Sequence, residues 1–82
     1  MSQVIELSTS EGQIVRAEGI NLSEGGLLCR AKVEIPKGTL VKFQLLIPAG
    51  KSSMSIACEG FVLRCVESDS QYNIVVDFTD QE

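Results

Sequence analysis

An all-β fold, a small six-stranded antiparallel barrel, is what this 82-residue sequence predicts, and three observations carry the prediction. Clusters of turn-forming residues recur along the chain at roughly the 8–12 residue spacing of a sandwich or barrel. Between them apolar and polar residues alternate with period two, the mark of a strand with one side on a core. No stretch places apolar residues at i, i+3, i+4 and i+7 for long enough to make a helix.

The turn clusters are Ser8-Thr9-Ser10-Glu11-Gly12, Ser23-Glu24-Gly25-Gly26, Pro36-Lys37-Gly38, Pro48-Ala49-Gly50-Lys51 and Glu67-Ser68-Asp69-Ser70. Gly, Pro, Asp and Ser favour turns because they tolerate unusual φ, preset it, or bond back to the backbone. The clusters delimit six strands, over residues 3–7, 13–22, 27–32, 40–47, 54–66 and 72–78. In the fourth, Val41, Phe43, Leu45 and Ile47 share one face against Lys42 and Gln44. In the last, Tyr72, Ile74, Val76 and Phe78 share a face against Asn73 and Asp77. The fifth strand changes parity: Met54, Ile56 and Cys58 point one way, and Phe61, Leu63 and Cys65 occupy the opposite set. A strand with one buried face cannot do this without an extra residue, which predicts a bulge near Gly60. Such a bulge lets a short sheet curl into a barrel.

Composition narrows the function. The chain reads as one domain over residues 1–82, 44% apolar and 22% charged. A domain of this size buries only about 60–65% of the surface its unfolded chain exposes, so the core is adequate but small. The net charge is −4 and the pI about 4.7, a field that repels nucleic-acid polymers and anionic membranes; a bound anion needs a local cluster of donors. No Trp and a single Tyr leave little material for stacking bases, which argues against an OB-like single-strand binder. Apolar runs such as Leu45-Leu46-Ile47 fall far short of a membrane span, and the chain is expected to be cytoplasmic. With no His there is no general base poised near neutral pH, and no Ser or Cys stands in a nucleophile-elbow context, so no enzyme activity is expected. Cys29, Cys58 and Cys65 are odd in number and lack the paired spacings of a zinc site. They are expected to be small, reduced, buried core residues, with no metal and no cofactor required.

One segment rises above this background. Asn21-Leu22-Ser23-Glu24-Gly25-Gly26, at the exit of the second strand, has the form (D/N)xSxxG. By itself it is what any turn prefers: Asn21 and Ser23 can close the strand exit, and the glycines can make it tight. Its surroundings add weight. Leu27 to Ala31 follows as a short strand, Ile35-Pro36-Lys37-Gly38 leads into the strand ending at Pro48, and then come Ile56-Ala57-Cys58-Glu59-Gly60-Phe61-Val62-Leu63-Arg64 and Tyr72-Asn73-Ile74-Val75-Val76-Asp77-Phe78. In this order the segments resemble the PilZ domain, Ile56–Arg64 looking like that family's G-x-V-x-R strand and Tyr72–Phe78 like its closing strand. The resemblance covers residues 12–78.

The resemblance implies a PilZ-type module of bacterial cyclic di-GMP signalling, a receptor or adaptor acting on motility, pili or polymer export, with Asn21, Ser23 and Gly26 lining one side of the dinucleotide site. The chemistry suits that role. An Asn amide offers both a donor and an acceptor to a guanine edge, a Ser hydroxyl reaches a phosphate or a base, and a Gly at φ > 0 lets backbone approach a ligand closely. The family's other half-site is missing. Members that bind the nucleotide carry an RxxxR segment ahead of the first strand, whose guanidiniums pair with phosphates and stack on guanine. Here only Arg16 precedes the turn, at an odd separation from Asn21 that sets the two on opposite faces unless a bulge intervenes. Arg30, on Leu28's face, is a weak substitute. Charged hydrogen bonds contribute roughly 1.5–3 kcal/mol each, so losing two arginines costs about 3–6 kcal/mol, or on the order of 10²–10⁴ in affinity. Cyclic di-GMP is therefore expected to bind weakly or not at all. The alternative is an interaction-only PilZ-like domain that binds a protein partner and no nucleotide.

Overall fold

The computed structural model describes residues 3–78, which form six strands: β1 (Gln3–Thr9), β2 (Ile14–Leu22), β3 (Gly26–Ala31), β4 (Leu40–Ala49), β5 (Ser52–Ser68) and β6 (Gln71–Phe78). Each matches its predicted span to within two residues at either end. The strands pair antiparallel in the closed order β1-β2-β3-β6-β5-β4, the predicted all-β barrel. Hairpins make four of the contacts; β3 against β6 and β1 against β4 are the two long-range closures. The β5–β6 hairpin turns through Asp69 (φ 53°) and Ser70 (φ 66°), a two-residue loop with both central residues left-handed, which matches the twist of the strands it joins.

The core is built from the alternation. Ile5 and Leu7, Val15 and Ala17, Leu27, Cys29 and Ala31, Val41, Phe43 and Leu45, Val62, and Ile74 and Val76 all point inward and are buried. The β3–β4 connection crosses one end of the barrel, where Ile35 is inserted into the core. Phe43 and Phe78 pack as a tilted pair with ring centroids 6.0 Å apart, within the favourable range for aromatic pairs.

The bulge in β5 lies three residues beyond its predicted place. The ladder runs unbroken through Gly60, which pairs with Val41 on β4 and Phe78 on β6. Against β6 the register then shifts between Val62 and Arg64, so that Leu63 is the extra residue. The inward set is therefore Cys58, Gly60 and Val62, changing parity to Cys65 only after the bulge, and Phe61 and Leu63 lie outside, about half exposed. Gly60 is glycine for a different reason: a Cβ there would come within 2.5 Å of the Asp77 carbonyl oxygen and 2.8 Å of Val76 Cγ1. Met54 and Ile56 have inward parity yet are exposed, at 51% and 38%. They belong to the stretch of the β4–β5 hairpin that pairs only with itself, beyond Lys42 on one strand and before Gly60 on the other.

The cysteines are all free. Cys29 is buried as expected, whereas Cys58 and Cys65 pack against the core but keep partial exposure. Burial above all, and Cys65 second, pushes the Cys29 thiol up to about 11.

Closure is lightest between β1 and β4. Among the described residues only Ser8–Lys42 and Thr9–Val41 pair there. Farther along, the Gln3 side chain bridges the gap: the Leu46 N–H donates to Gln3 Oε1 at 3.0 Å, and Gln3 Nε2 donates to the Leu46 carbonyl at 3.3 Å. A carboxamide thus takes both hydrogen bonds that a neighbouring strand would make. Two residues on along β4 is Pro48, which has no N–H to present to this edge.

Candidate functional site

The (D/N)xSxxG segment forms the β2–β3 hairpin turn and one wall of a cleft of about 260 Å³ on the outer surface of the barrel. Asn21, Ser23 and Gly26, the three residues singled out from the sequence, all line it. Leu28, Leu63 and Val75 supply an apolar floor from β3, β5 and β6, and among the described residues Asp77 is the single charged one in the lining.

Two bulges shape the cleft. On β2 the register against β3 shifts between Gly19 and Asn21, leaving Ile20 unpaired. Gly19 faces Cys29 on the core side, and Asn21 faces Leu28 on the outside. This extra residue reverses the parity expected for Arg16: Arg16, Glu18 and Asn21 all end on the outer, exposed side. The Leu63 bulge on β5 belongs to the same cleft. Extra residues in a ladder bend a strand and re-aim side chains, and here they place Asn21 and Leu63 at one depression.

The three motif residues do different work. Ser23 closes the turn: its N–H donates to the Gly26 carbonyl at 3.0 Å, and its hydroxyl donates to the same oxygen at 3.4 Å. Phe78 N–H donates to the Gly25 carbonyl at 3.0 Å, tying the turn to the end of β6. Gly26 does not have the left-handed φ expected for it; among the described residues positive-φ glycines are Gly12, Gly38 and Gly50. It must be glycine because a Cβ would overlap the carbonyl oxygen of Val76 on the adjacent strand. The exposed carboxamide of Asn21 makes no hydrogen bond among the described residues. Asn21 is thus the motif residue with a side chain left over for a ligand.

The auxiliary arginines are not in this cleft. Arg16 lies 3.7 Å from Glu6 in an exposed ion pair, and Arg30 Nε donates to Asn73 Oδ1 at 3.3 Å. Both line a separate depression over β2. Sequence reasoning missed Leu28, Leu63, Val75 and Asp77. The apolar three escape it because an apolar side chain in a strand does not announce which face it takes. Among the described residues no cluster of three or more His, Cys, Asp or Glu is arranged to hold a metal ion, and no helix is long and apolar enough to cross a membrane.

With fold and cleft in view, the comparison with known proteins is direct. The PilZ domain family model matches residues 1–82, the whole chain, and the chain belongs to the PilZ domain family. That family consists of binding and adaptor modules of cyclic di-GMP signalling. No curated protein matches the chain.

Proposed function

We propose that this PilZ domain is a cytoplasmic receptor or adaptor in cyclic di-GMP control of motility, pili or polymer export, and that on its own it holds the dinucleotide at millimolar affinity or weaker. The observation that carries this reading is the composition of the turn cleft: an unengaged Asn21 carboxamide beside an apolar floor, with Asp77 as the sole charge. Asn21 suits a guanine edge and Leu28, Leu63 and Val75 suit a purine face. Among the described residues no cation in the lining attracts a phosphate, and Asp77 repels one. At about 260 Å³ the cleft is also below the roughly 300–1,000 Å³ of typical small-molecule sites. A dinucleotide would overhang it and need contacts from outside the barrel, such as arginines on another segment or another chain.

The second reading, a domain that binds a protein partner and no nucleotide, is favoured by Phe61 and Leu63, apolar and 47% and 49% exposed on the outer face of β5.

An arginine graft separates the two. Two arginines in RxxxR spacing, added ahead of Gln3, should recover much of the missing 3–6 kcal/mol, about 10²–10⁴ in affinity. Asn21→Ala in that extended chain should cancel the gain while leaving the melting temperature unchanged, since the Asn21 side chain makes no hydrogen bond among the described residues and its backbone pairing with Leu28 is kept. If the extended chain gains no affinity, the turn is structural only and the protein-partner reading stands.

A further inference from the structure

A second depression, of about 440 Å³, opens over the outer face of β2, toward the opposite end of the β2–β3 hairpin from the turn. It shares no lining residue with the turn cleft. Three aliphatic side chains stand exposed in it: Val4 at 68%, Ile14 at 66% and Val33 at 43%. Around them are three cations, Arg16, Arg30 and Lys32, against two carboxylates, Glu18 in the lining and Glu6 beside Arg16. The chain holds only seven Lys and Arg in all and carries a net charge of −4. Three of its cations therefore gather at one apolar depression on an otherwise acidic molecule.

The neighbours of these cations do not use them up. Glu6 sits 3.7 Å from Arg16, with both side chains more than half exposed, and exposed pairs of that kind contribute only about 0–1 kcal/mol. Arg30 spends Nε on Asn73, which steadies the guanidinium, and faces Glu18 across the β2–β3 ladder, with its side chain exposed to a ligand. Lys32, beyond the end of β3, is exposed.

We propose that this depression docks an acidic, apolar segment of a partner protein. An aliphatic or aromatic side chain of the segment rests on Val4, Ile14 and Val33, and its flanking carboxylates meet Arg16, Arg30 and Lys32. Charge complementarity selects the occupant: cations outnumber carboxylates three to two here, whereas the molecule as a whole repels an anion. The local attraction is felt within a Debye length of about 8 Å, so the partner must bring apolar contact of its own, which a mixed acidic and apolar peptide does. The surface is a depression, whereas a membrane-inserting surface presents protruding apolar residues. Nucleic acid is disfavoured by the net charge and by the absence of aromatic side chains from the lining. The proposal goes beyond nucleotide recognition and stands whether or not the turn cleft binds cyclic di-GMP.

The test is selection from a random dodecapeptide display library on the immobilised native chain, counter-selected against the variant carrying Arg16→Glu, Arg30→Glu and Lys32→Glu. The best selected peptide is then titrated into isotope-labelled protein. The expected peptides carry Asp or Glu flanking Leu, Ile or Phe, and their amide shifts centre on residues 14–18 and 30–33. The charge-reversed variant, checked to keep its strand circular dichroism and melting temperature, should bind at least about tenfold more weakly, and raising salt from about 0.05 to about 0.5 M should weaken binding to the native chain. Val33→Ser, which leaves every charge in place, should also weaken it. Failure to enrich any peptide, enrichment of basic or uncharged peptides, or shifts centred on Phe61 and Leu63 would overturn the proposal. Co-sedimentation of the native chain with phosphatidylglycerol vesicles, abolished by the same charge reversal, would replace the peptide with a membrane surface.

Discussion

Single residues decide how the turn cleft is held. Gly26 and Gly25 are adjacent, and their side-chain space differs completely: a Cβ on Gly26 would overlap the Val76 carbonyl, and a Cβ on Gly25 meets nothing within 4 Å. Neither has a left-handed φ. Gly26→Ala should therefore destabilise by about 1–3 kcal/mol, the usual cost of forcing atoms into a packed site. Gly25→Ala should be neutral or stabilise by up to about 1 kcal/mol through the unfolded chain. Denaturant unfolding of the two variants side by side checks this, and equal effects would contradict it. Cys29 supplies a pH signature. Its thiol, ordinarily near 9.0, is pushed up to about 11 by burial and by Cys65, so the folded state holds its proton more tightly than the unfolded state. The associated stability is fully present below pH 9 and is lost as pH rises to about 11. Tighter proton binding of this size corresponds to about 2–3 kcal/mol. The stability advantage of the native chain over Cys29→Ala should shrink by that amount across the window, and an advantage independent of pH would contradict the assignment.

At the scale of elements, the seam between β1 and β4 is the weakest join in the barrel, two backbone pairs extended by the Gln3 carboxamide. Gln3→Ala removes both side-chain bonds to Leu46. The expected cost is about 1 kcal/mol, a fall in melting temperature of about 4–8 °C for a domain of this size. Faster hydrogen exchange at the Leu46 amide should accompany it, and an amide that stays protected would show that the edge is covered by something else. The strands themselves are legible in the sequence because alternation and turn chemistry agree: Val41, Phe43 and Leu45 fall inside as read, and so do Ile74 and Val76. The bulges are legible only in part. Phe61 and Leu63 look like core in the sequence, and Gly60 looks like a break. In the fold Gly60 is a core position that a side chain cannot enter, and the extra residue is Leu63. An apolar residue on the outer face is indistinguishable by pattern from one on the inner face, so the alternation assigns parity to the wrong set. The Ile20 bulge carries no signal at all, since Ala17, Gly19 and Ile20 offer too weak an alternation to betray a shift. It is this unseen bulge that brings Asn21 to the outer face.

For the whole molecule, the PilZ fold, the motif and the charge distribution point in different directions, and the function follows from which of them dominates. Fold and motif bring Asn21, Ser23 and Gly26 to one cleft, with an apolar floor the sequence did not identify, and this cleft is the half-site we propose. Charge works against an anionic ligand there, because Arg16 and Arg30 line a different depression and Asp77 is the one charged residue among the described residues of the cleft. A net charge of −4 adds long-range repulsion of an anionic ligand. The proposal is accordingly a PilZ barrel whose turn cleft, by itself, offers a dinucleotide no cation. Calorimetric titration of the unmodified chain with cyclic di-GMP tests it most directly. The expected dissociation constant is of millimolar order or weaker, in line with the loss of about 3–6 kcal/mol when two phosphate-binding arginines are absent from the chain titrated. Micromolar binding by the unmodified chain would contradict it, and would mean that Arg16, Arg30 or a second copy of the chain already supplies the clamp.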